Sequence, residues 1–212
     1  MDKYALVLAG GEEVNKEVIF DHIKNADLII GADKGAETAY KYNFNVDLIV
    51  GDFDSIDSDT LNKFDTEKMK YPKEKDKTDL ELVLDYIVEE GYKKIIILNA
   101  LGNRIDHTLG NLFLLEKYSG QDIKIIDNNS EAFVINETEV IVKNRKNYIL
   151  SIIPISEKLE IEKLLGVKYP LSDKIVKRGS SLCISNLIKE EKCLISIKKG
   201  KAFIIITKIM EE

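Results

Sequence analysis

The 212-residue sequence has only two cysteines, Cys183 and Cys193, and they are ten positions apart. Since no Cys-x-x-Cys pair is present, we interpret them as two reduced, buried thiols of a cytosolic protein. No apolar run is long enough to cross a bilayer, and no secretory signal opens the chain. We therefore predict a cytoplasmic protein that makes no use of a membrane.

The sequence also has fewer basic than acidic residues. The chain has 31 lysines and arginines against 37 aspartates and glutamates, with a net charge of -6 and a pI near 5.2. A nucleic-acid binder normally carries a basic face, so we predict no nucleic-acid partner. A small and even cationic substrate agrees better with this charge. The sequence also has no GxxxxGK[ST] segment, which excludes a P-loop kinase.

The composition describes a globular chain of one large or two small domains, because 44% of its residues are hydrophobic and 32% are charged. In the first half, short apolar runs alternate with helical patterns. Continuous apolar runs indicate strands that are buried on both faces, and therefore an open, mainly parallel sheet with flanking helices. The runs lie at residues 4–8, 27–30, 48–50, 94–98 and 123–126.

The second half has a different texture, in which short strand-like segments are joined by turns with no long amphipathic helix between them. These segments lie at residues 139–142, 148–153, 159–161, 182–184, 193–197 and 202–207. Such a pattern predicts an all-β domain, a β-sandwich. We accordingly predict an α/β domain over residues 1–127 and a β-sandwich over residues 128–212.

Ligands of open α/β sheets bind outside the carboxyl ends of the strands, and the polar clusters of the first half fall there. Asp52 and Asp54 follow one apolar run, and residues two apart in an extended segment point the same way. Two carboxylates held that close need a counter-cation, and Mg²⁺ serves where phosphates complete its octahedron. The alternative is a solvated turn with capping side chains.

Other strand ends carry further aspartates. Asp33 follows an apolar run, Asp79 lies beside Thr78 in a capping-box sequence, and Asp106 follows Arg104 before a helical pattern. Asp79 could merely complement a helix dipole, and Asp106 could be an N-cap. Arg104 suits a phosphate. Their coincidence at one rim favours a metal and phosphate site, because clustered carboxylates without a cation would repel one another.

These motifs, in this order and spacing, resemble thiamine pyrophosphokinase of the bacterial type. The resemblance spans nearly the whole chain. The segments that carry it are residues 31–36, 51–55, 75–79, 102–109, 166–171 and 185–186.

The resemblance implies transfer of pyrophosphate from ATP to the hydroxyl of thiamine, with release of AMP, by a homodimer. It places Asp52, Asp54 and Asp79 around Mg²⁺ and the phosphates, and Asp106 near the transferred group. Asp106 or Asp79 would accept the hydroxyl proton. The residues implied on the nucleotide side are Asp33, Lys34, Lys75, Thr78 and Arg104. Those implied to face thiamine across the dimer interface are Tyr169, Ser185 and Asn186.

Three alternatives stay open at this level. The segment from Asp52 to Ser55 also resembles the DxD(S/T) motif of haloacid-dehalogenase-like phosphatases, in which the first aspartate is the nucleophile. That family puts the motif on its first strand, whereas two strand–helix units precede it here. A pyrophosphokinase for another hydroxymethyl heterocycle, such as a pterin, is the second alternative. A non-catalytic nucleotide-binding module is the third.

Overall fold

The computed structural model describes residues 3–209 and divides the chain into two compact units. The first unit ends at Asn128 and the second begins at Asn129. The first is a parallel sheet with helices and the second is built from antiparallel strands, so the predicted fold class is confirmed.

The first unit alternates strands and helices along the chain. Its elements are β1 (Tyr4–Leu8), α1 (Lys16–Ile23), β2 (Leu28–Ala32), α2 (Gly35–Tyr42), β3 (Leu48–Gly51), α3 (Ser58–Asn62), β4 (Glu67–Lys70), α4 (Asp79–Glu89), β5 (Lys94–Leu98), α5 (Ile105–Lys117) and β6 (Asp122–Ile126). The strands pair in parallel in the order β6-β5-β1-β2-β3-β4. The order reverses next to β1, which places the loops after β1 and β5 at a topological switch point.

The central strands are buried on both faces, which explains their unbroken apolar runs. Every residue of β1 is buried, as is β5 after Lys94. The edge strand β4 has the sequence Glu-Lys-Met-Lys and is largely exposed, so it gives no apolar signal in the sequence. Charged residues on an edge strand also protect it from pairing with another chain.

Two helices of this unit, α3 and α4, begin at a side-chain cap, whereas α1, α2 and α5 do not. Thr78 is the N-cap of α4, and its hydroxyl oxygen accepts a hydrogen bond from the Glu81 amide at 3.2 Å. The interpretation of Asp106 as the N-cap of α5 is wrong, because Arg104 holds that position and Asp106 lies in the first turn. Gly35 begins α2 directly against β1, where a Cβ would come within 1.8 Å of the Leu8 carbonyl oxygen.

The second unit contains two antiparallel sheets. Its strands are β7 (Ser130–Asn136), β8 (Glu139–Lys143), β9 (Ile149–Pro154), β10 (Lys158–Leu165), β11 (Leu171–Lys177), β12 (Asn186–Leu187), β13 (Lys192–Lys199) and β14 (Lys201–Thr207). One sheet has the order β12-β9-β14-β7 and the other has the order β11-β10-β13-β8. Their inward side chains, such as Ile152, Leu159, Ile195 and Ile204, share one apolar core, which is the arrangement of a β-sandwich.

One predicted strand of this unit is wrong. Residues 182–184 form a turn, in which the Ile184 amide donates to the Ser181 carbonyl oxygen at 3.1 Å. Leu182 and Ile184 are both exposed while Cys183 is buried, and the positive φ of 58° at Ser185 ends any extended conformation there. Three apolar residues in a row were therefore not enough to define a strand. Across residues 3–209, no helix is long and apolar enough to cross a membrane.

Candidate active site

A cavity of about 550 Å³ lies in the first unit at the carboxyl ends of its parallel strands. The loops after β1, β2, β3 and β5 form its walls, together with the first turns of α4 and α5. Six of the residues predicted from sequence line this cavity, namely Asp33, Lys34, Asp54, Thr78, Asp79 and Arg104. Asp52, Lys75 and Asp106 are not among its lining residues, but Lys75 pairs with Asp79 and Asp52, and Asp106 pairs with Arg104.

Asp33 is the most constrained of these carboxylates. It adopts a left-handed backbone conformation, with φ of 49°, directly after β2. Its Oδ2 accepts a hydrogen bond from the Ser55 hydroxyl, while its Oδ1 is buried without a partner in the described chain. Burial raises the pKa of this carboxyl, and the nearby charges of Asp79 and Asp52 raise it further, against the hydrogen bond from Ser55. Oδ1 of Asp33 is thus a buried acceptor that has no hydrogen-bond partner among residues 3–209.

Asp52 and Asp54 follow β3 and are held by a tight local turn. The Asp54 amide donates to Asp52 Oδ1 at 3.0 Å, and the Asp54 carboxylate pairs with Lys73. The hydrogen bond from Lys73 keeps the pKa of Asp54 below its ordinary value, so this carboxylate stays ionised. Asp54 therefore pairs with a lysine, whereas Asp52 Oδ1 accepts from the backbone.

Lys75 joins two of the predicted metal ligands. Its Nζ lies 2.8 Å from Asp79 Oδ1 and 3.8 Å from Asp52 Oδ2, and its side chain is only 14% exposed. Carboxylates this close need a cation between them, and the Lys75 ammonium is the cation that lies between Asp52 and Asp79 in this structure. Among residues 3–209, no three histidine, cysteine, aspartate or glutamate side chains are grouped closely enough to hold a metal by themselves.

Arg104 and Asp106 form a fork at the start of α5. Arg104 Nη2 lies 2.5 Å from Asp106 Oδ2, and Nε lies 3.3 Å from Oδ1. The guanidinium lowers the pKa of Asp106, which remains a carboxylate at neutral pH. The pair is about two-thirds exposed and can exchange partners with an incoming phosphate.

Other side chains that fix the loop after β5 had no distinct signal in the sequence. Thr108 exchanges hydrogen bonds with the Gly102 amide and carbonyl through its hydroxyl, at 3.2 and 3.1 Å. Asn111 donates to the Ala100 carbonyl at 2.7 Å. Both lie on α5 at helical spacing from Arg104, and both hold the loop that lines the cavity.

The residues predicted to face the acceptor lie in the second unit. Asn186 is buried, and its amide group pairs with both backbone groups of Tyr169, accepting from N at 3.0 Å and donating to O at 2.8 Å. The Ser185 amide donates to the Ser151 hydroxyl at 3.1 Å. Tyr169 is 60% exposed, and the Lys168 ammonium lies 5.2 Å from its ring centroid. Asn186 therefore positions an accessible aromatic ring.

The fold and the cavity together define a class of protein. An open α/β sheet whose strand ends bring carboxylates, lysines and an arginine around one cavity is suited to binding phosphates and transferring a phosphoryl group.

Comparison with known proteins agrees with this class. The family description "Thiamin pyrophosphokinase, catalytic domain" matches residues 20–126, and "Thiamin pyrophosphokinase, vitamin B1 binding domain" matches residues 137–202. Thiamine pyrophosphokinase of Bacillus subtilis (strain 168) is 35% identical over 201 residues, which covers 92% of this chain and 94% of that protein. Thiamine pyrophosphokinase 2 of Arabidopsis thaliana is 28% identical over 196 residues, covering 79% and 73%.

Solved structures show the same relation. The crystal structure of thiamine pyrophosphokinase from Bacillus subtilis has a TM-score of 0.87 at 30% identity, covering 98% of this chain and 100% of that one. The Geobacillus thermodenitrificans structure has a TM-score of 0.86 at 32% identity, covering 98% and 99%. This chain belongs to the thiamine pyrophosphokinase family. The predicted resemblance and the predicted ATP-dependent pyrophosphotransferase are confirmed, and neither the phosphatase nor the pterin alternative is supported.

Proposed function

We propose that this protein transfers a pyrophosphoryl group from ATP to the hydroxyl of thiamine, giving thiamine diphosphate and AMP. The observation that carries the proposal is the cavity of the α/β unit. It places Asp33, Asp54 and Asp79 within one space together with Lys34 and Arg104, in a chain of this family. Acidic and basic groups around one cavity suit a metal–triphosphate better than either a bare anion or a bare cation.

The reaction is an in-line displacement at the β-phosphorus of ATP. A bond forms from the thiamine oxygen to this phosphorus while the bond to the bridging oxygen of AMP breaks, and the hydroxyl proton leaves with a base. Catalysis comes mainly from positioning and charge neutralisation, as in phosphoryl transfer generally. Arg104 and Lys34, which line the cavity, bind phosphate oxygens in this proposal.

The carboxylates fit Mg²⁺ as the metal. Mg²⁺ prefers oxygen ligands and is usually held by one or two carboxylates together with substrate phosphates and water, so a cage of three protein ligands is unnecessary. Asp33 Oδ1, buried and unpartnered in the described chain, shows that this region has acceptor capacity to spare. We assign the ion to the cluster of Asp52, Asp54 and Asp79, of which one or two carboxylates bind it directly. When bound, Mg²⁺ neutralises phosphate charge and orients the triphosphate.

Lys75 and Lys73 then act as exchangeable partners. They neutralise Asp52, Asp79 and Asp54 in this structure and are free to move to phosphate oxygens when a metal takes the carboxylates. Thr78 fixes the start of α4 by capping it, and so sets the direction of Asp79. Asp106 holds Arg104, and the hydrogen bond from that guanidinium lowers the pKa of Asp106, which makes it a poor base. Asp79 is accordingly our candidate for the proton acceptor.

The acceptor site belongs to the second unit in this proposal. Thiamine carries a permanent positive charge and a flat pyrimidine ring, and an exposed aromatic face binds both. Tyr169 offers such a face, and the position of Lys168 over its ring shows that the ring already attracts a cation. Ser185 and Asn186 fix the segment that presents it. We further propose a cytoplasmic homodimer in which this ring serves the cavity of the partner, with no nucleic-acid partner.

Incubation of the protein with ATP, Mg²⁺ and thiamine tests the proposal directly. Thiamine diphosphate and AMP should appear in equal amounts, measured by chromatography. Formation of ADP and thiamine monophosphate would show a one-phosphate kinase and would contradict the proposal. A pterin alcohol as the preferred acceptor would contradict the assignment of thiamine.

A further inference from the structure

Asn99 is a buried polar residue that none of the roles above uses. It directly follows β5, is 2% exposed and has a left-handed backbone conformation with φ of 56°. A side chain that is buried this deeply keeps its polar atoms only where each finds a partner. Both ends of the Asn99 amide do so, and the partners belong to segments far away in the chain.

The two side-chain bonds join Asn99 to the loop after β1 and to α2. Asn99 Oδ1 accepts from the Val14 amide at 2.9 Å, and Nδ2 donates to the Thr38 hydroxyl oxygen at 3.1 Å. Both bonds are buried and link residues 85 and 61 positions apart. One side chain thus ties the loop after β5 to the loop after β1 and to α2.

The backbone continues the same attachment. The Asn99 carbonyl accepts from the Gly11 amide at 2.7 Å, and the Leu101 carbonyl accepts from the Glu12 amide at 2.7 Å. The contact is so close that a Cβ on Gly11 would come within 2.5 Å of the Asn99 oxygen. Only glycine fits here, and the loop of residues 9–14 therefore lies flat along the end of β5.

This loop forms a wall of the cavity in which the proposed reaction takes place. Ala9, Gly10, Gly11 and Glu12 all line it. Within residues 3–209, no protein group accepts a hydrogen bond from the Gly10 amide, so that this donor remains available to a ligand. A bare glycine backbone lets a phosphate approach closely, provided that the loop is held still.

We propose that Asn99 is a positioning residue for nucleotide binding. Its amide locks the glycine loop of residues 9–14 against β5 and α2, so that the loop backbone is pre-organised for the triphosphate. This inference rests on the proposed use of ATP. It predicts that loss of Asn99 weakens the binding of ATP and leaves the binding of thiamine unchanged, whereas a general loss of folding would weaken the binding of both substrates.

Two variants separate the side-chain bonds from the backbone conformation. Asn99→Gly keeps the left-handed conformation and removes both bonds. Asn43→Gly is the matched control, since Asn43 is an exposed asparagine with φ of 55° outside the cavity.

The readouts are ATP affinity by calorimetry with Mg²⁺ present, the KM for each substrate, and amide hydrogen exchange. We expect Asn99→Gly to weaken ATP binding about tenfold, as a misplaced site does, with the KM for thiamine unchanged and faster exchange at Val14 and Gly11. Asn43→Gly should match the wild type. A folded Asn99→Gly protein with wild-type ATP affinity would overturn the inference.

If Asn99→Gly does not fold, Thr38→Val serves instead, because it deletes only the bond to Nδ2. It should weaken ATP binding about threefold, since one of two anchoring bonds remains, and unchanged affinity would count against the inference. The proposed function can fail separately. A wild-type protein that binds ATP but makes no thiamine diphosphate would refute that function, while the dependence of ATP affinity on Asn99 would still stand.

Discussion

The two units of this protein treat their polar groups in opposite ways. In the α/β unit, like charges lie close together and Asp33 Oδ1 is buried without a partner in the described chain. In the sandwich unit, the side-chain amide of Asn186 is bonded to the backbone of Tyr169 and Leu187, and the exposed groups nearby are Tyr169, Leu182 and Ile184. The first unit is built to receive charge, and the second is built to present an apolar and aromatic surface.

Under the proposed function, this difference means that one unit binds the nucleotide and the other binds the acceptor. A triphosphate and its metal need strong, directional charge, which the strand ends of a parallel sheet provide. A flat organic cation needs a rigid ring, which a self-satisfied turn provides. Substitutions in the first unit should therefore affect ATP, and those in the second unit should affect thiamine.

The largest effect that tests this division is expected at Asp54. Replacement Asp54→Asn removes a negative charge from the proposed metal site while keeping its shape. Losing several kcal/mol of charge stabilisation corresponds to a fall in turnover on the order of 10³-fold. A chelator should abolish wild-type activity and added Mg²⁺ should restore it.

The control is Asp59→Asn, which removes an exposed aspartate on α3 in the same region. It should leave turnover near the wild-type value, as measured by thiamine diphosphate formation. Circular dichroism should show both variants folded. Full activity in Asp54→Asn would remove Asp54 from the metal site.

The second effect concerns Lys75, which neutralises Asp52 and Asp79 in a largely buried position. Lys75→Met keeps the length of the side chain and leaves two carboxylates without their cation. We expect the free energy of unfolding in metal-free buffer to fall by about 1 to 3 kcal/mol. Mg²⁺ should then stabilise the variant more than it stabilises the wild type.

Lys77→Met provides the comparison for this test, because Lys77 pairs with Asp85 at 2.7 Å outside the cavity. An exposed pair of this kind contributes about 0 to 1 kcal/mol. Denaturant titrations with and without Mg²⁺ measure both variants. Equal responses to Mg²⁺ in Lys75→Met and Lys77→Met would show that Lys75 does not stand in for the metal.

The aspartates of the candidate site were easier to predict from the sequence than the structure around them. Asp33 and Asp52 stood out because each follows an apolar run, at the ends of β2 and β3, whereas Asp79 stood out by its capping-box sequence. Lys75 was named from the resemblance, but its pairing with Asp52 and Asp79 could not be predicted, since its position depends on how the loop before α4 folds back. Asn99 was missed for a similar reason, because its two partners lie in distant segments.

The same limit applies to the fold. Parallel strands that are buried on both faces have unbroken apolar sequences, which is why β1 and β5 could be predicted. Edge strand β4 and the turn at residues 182–184 escaped, because exposure there depends on neighbouring segments rather than on local sequence. The hydrophobic pattern of a segment predicts its average burial, and this prediction fails for strands at the edge of a sheet.

The third effect is expected at Tyr169, in the other unit. Tyr169→Ala removes the ring that is proposed to bind the thiamine cation, and a cation–π contact of about 0.5 to 2 kcal/mol corresponds to a rise of roughly 2- to 30-fold in the KM for thiamine. The KM for ATP should not change. Tyr169→Phe keeps the ring and should behave like the wild type.

Mixed dimers test the shared site. A heterodimer of Asp54→Asn with Tyr169→Ala has one site with both native residues. At a low thiamine concentration, where each mutant homodimer has little activity, the heterodimer should be more active than either. If heterodimers are shown to form and no activity returns, the ring does not serve the partner's cavity. An active monomer would lead to the same conclusion.

The smallest effect, and the one most specific to the charged unit, is a gain in stability at Asp33. Its pKa is raised in the folded state, so the native protein binds more protons than the unfolded chain between the ordinary aspartate pKa, about 4, and the raised value. Stability is therefore lost as pH rises through this window, and the penalty is present above it.

Asp33→Asn keeps the acceptor for Ser55, tolerates the positive φ and removes the charge. We expect its melting temperature in metal-free buffer at pH 7 to exceed that of the wild type by on the order of 2 °C, with the difference vanishing below about pH 4. Mg²⁺ with ATP should stabilise the wild type more than this variant. A variant that is less stable than the wild type at pH 7 would show that Asp33 is already neutralised, and the contrast between the two units would then lose its main support.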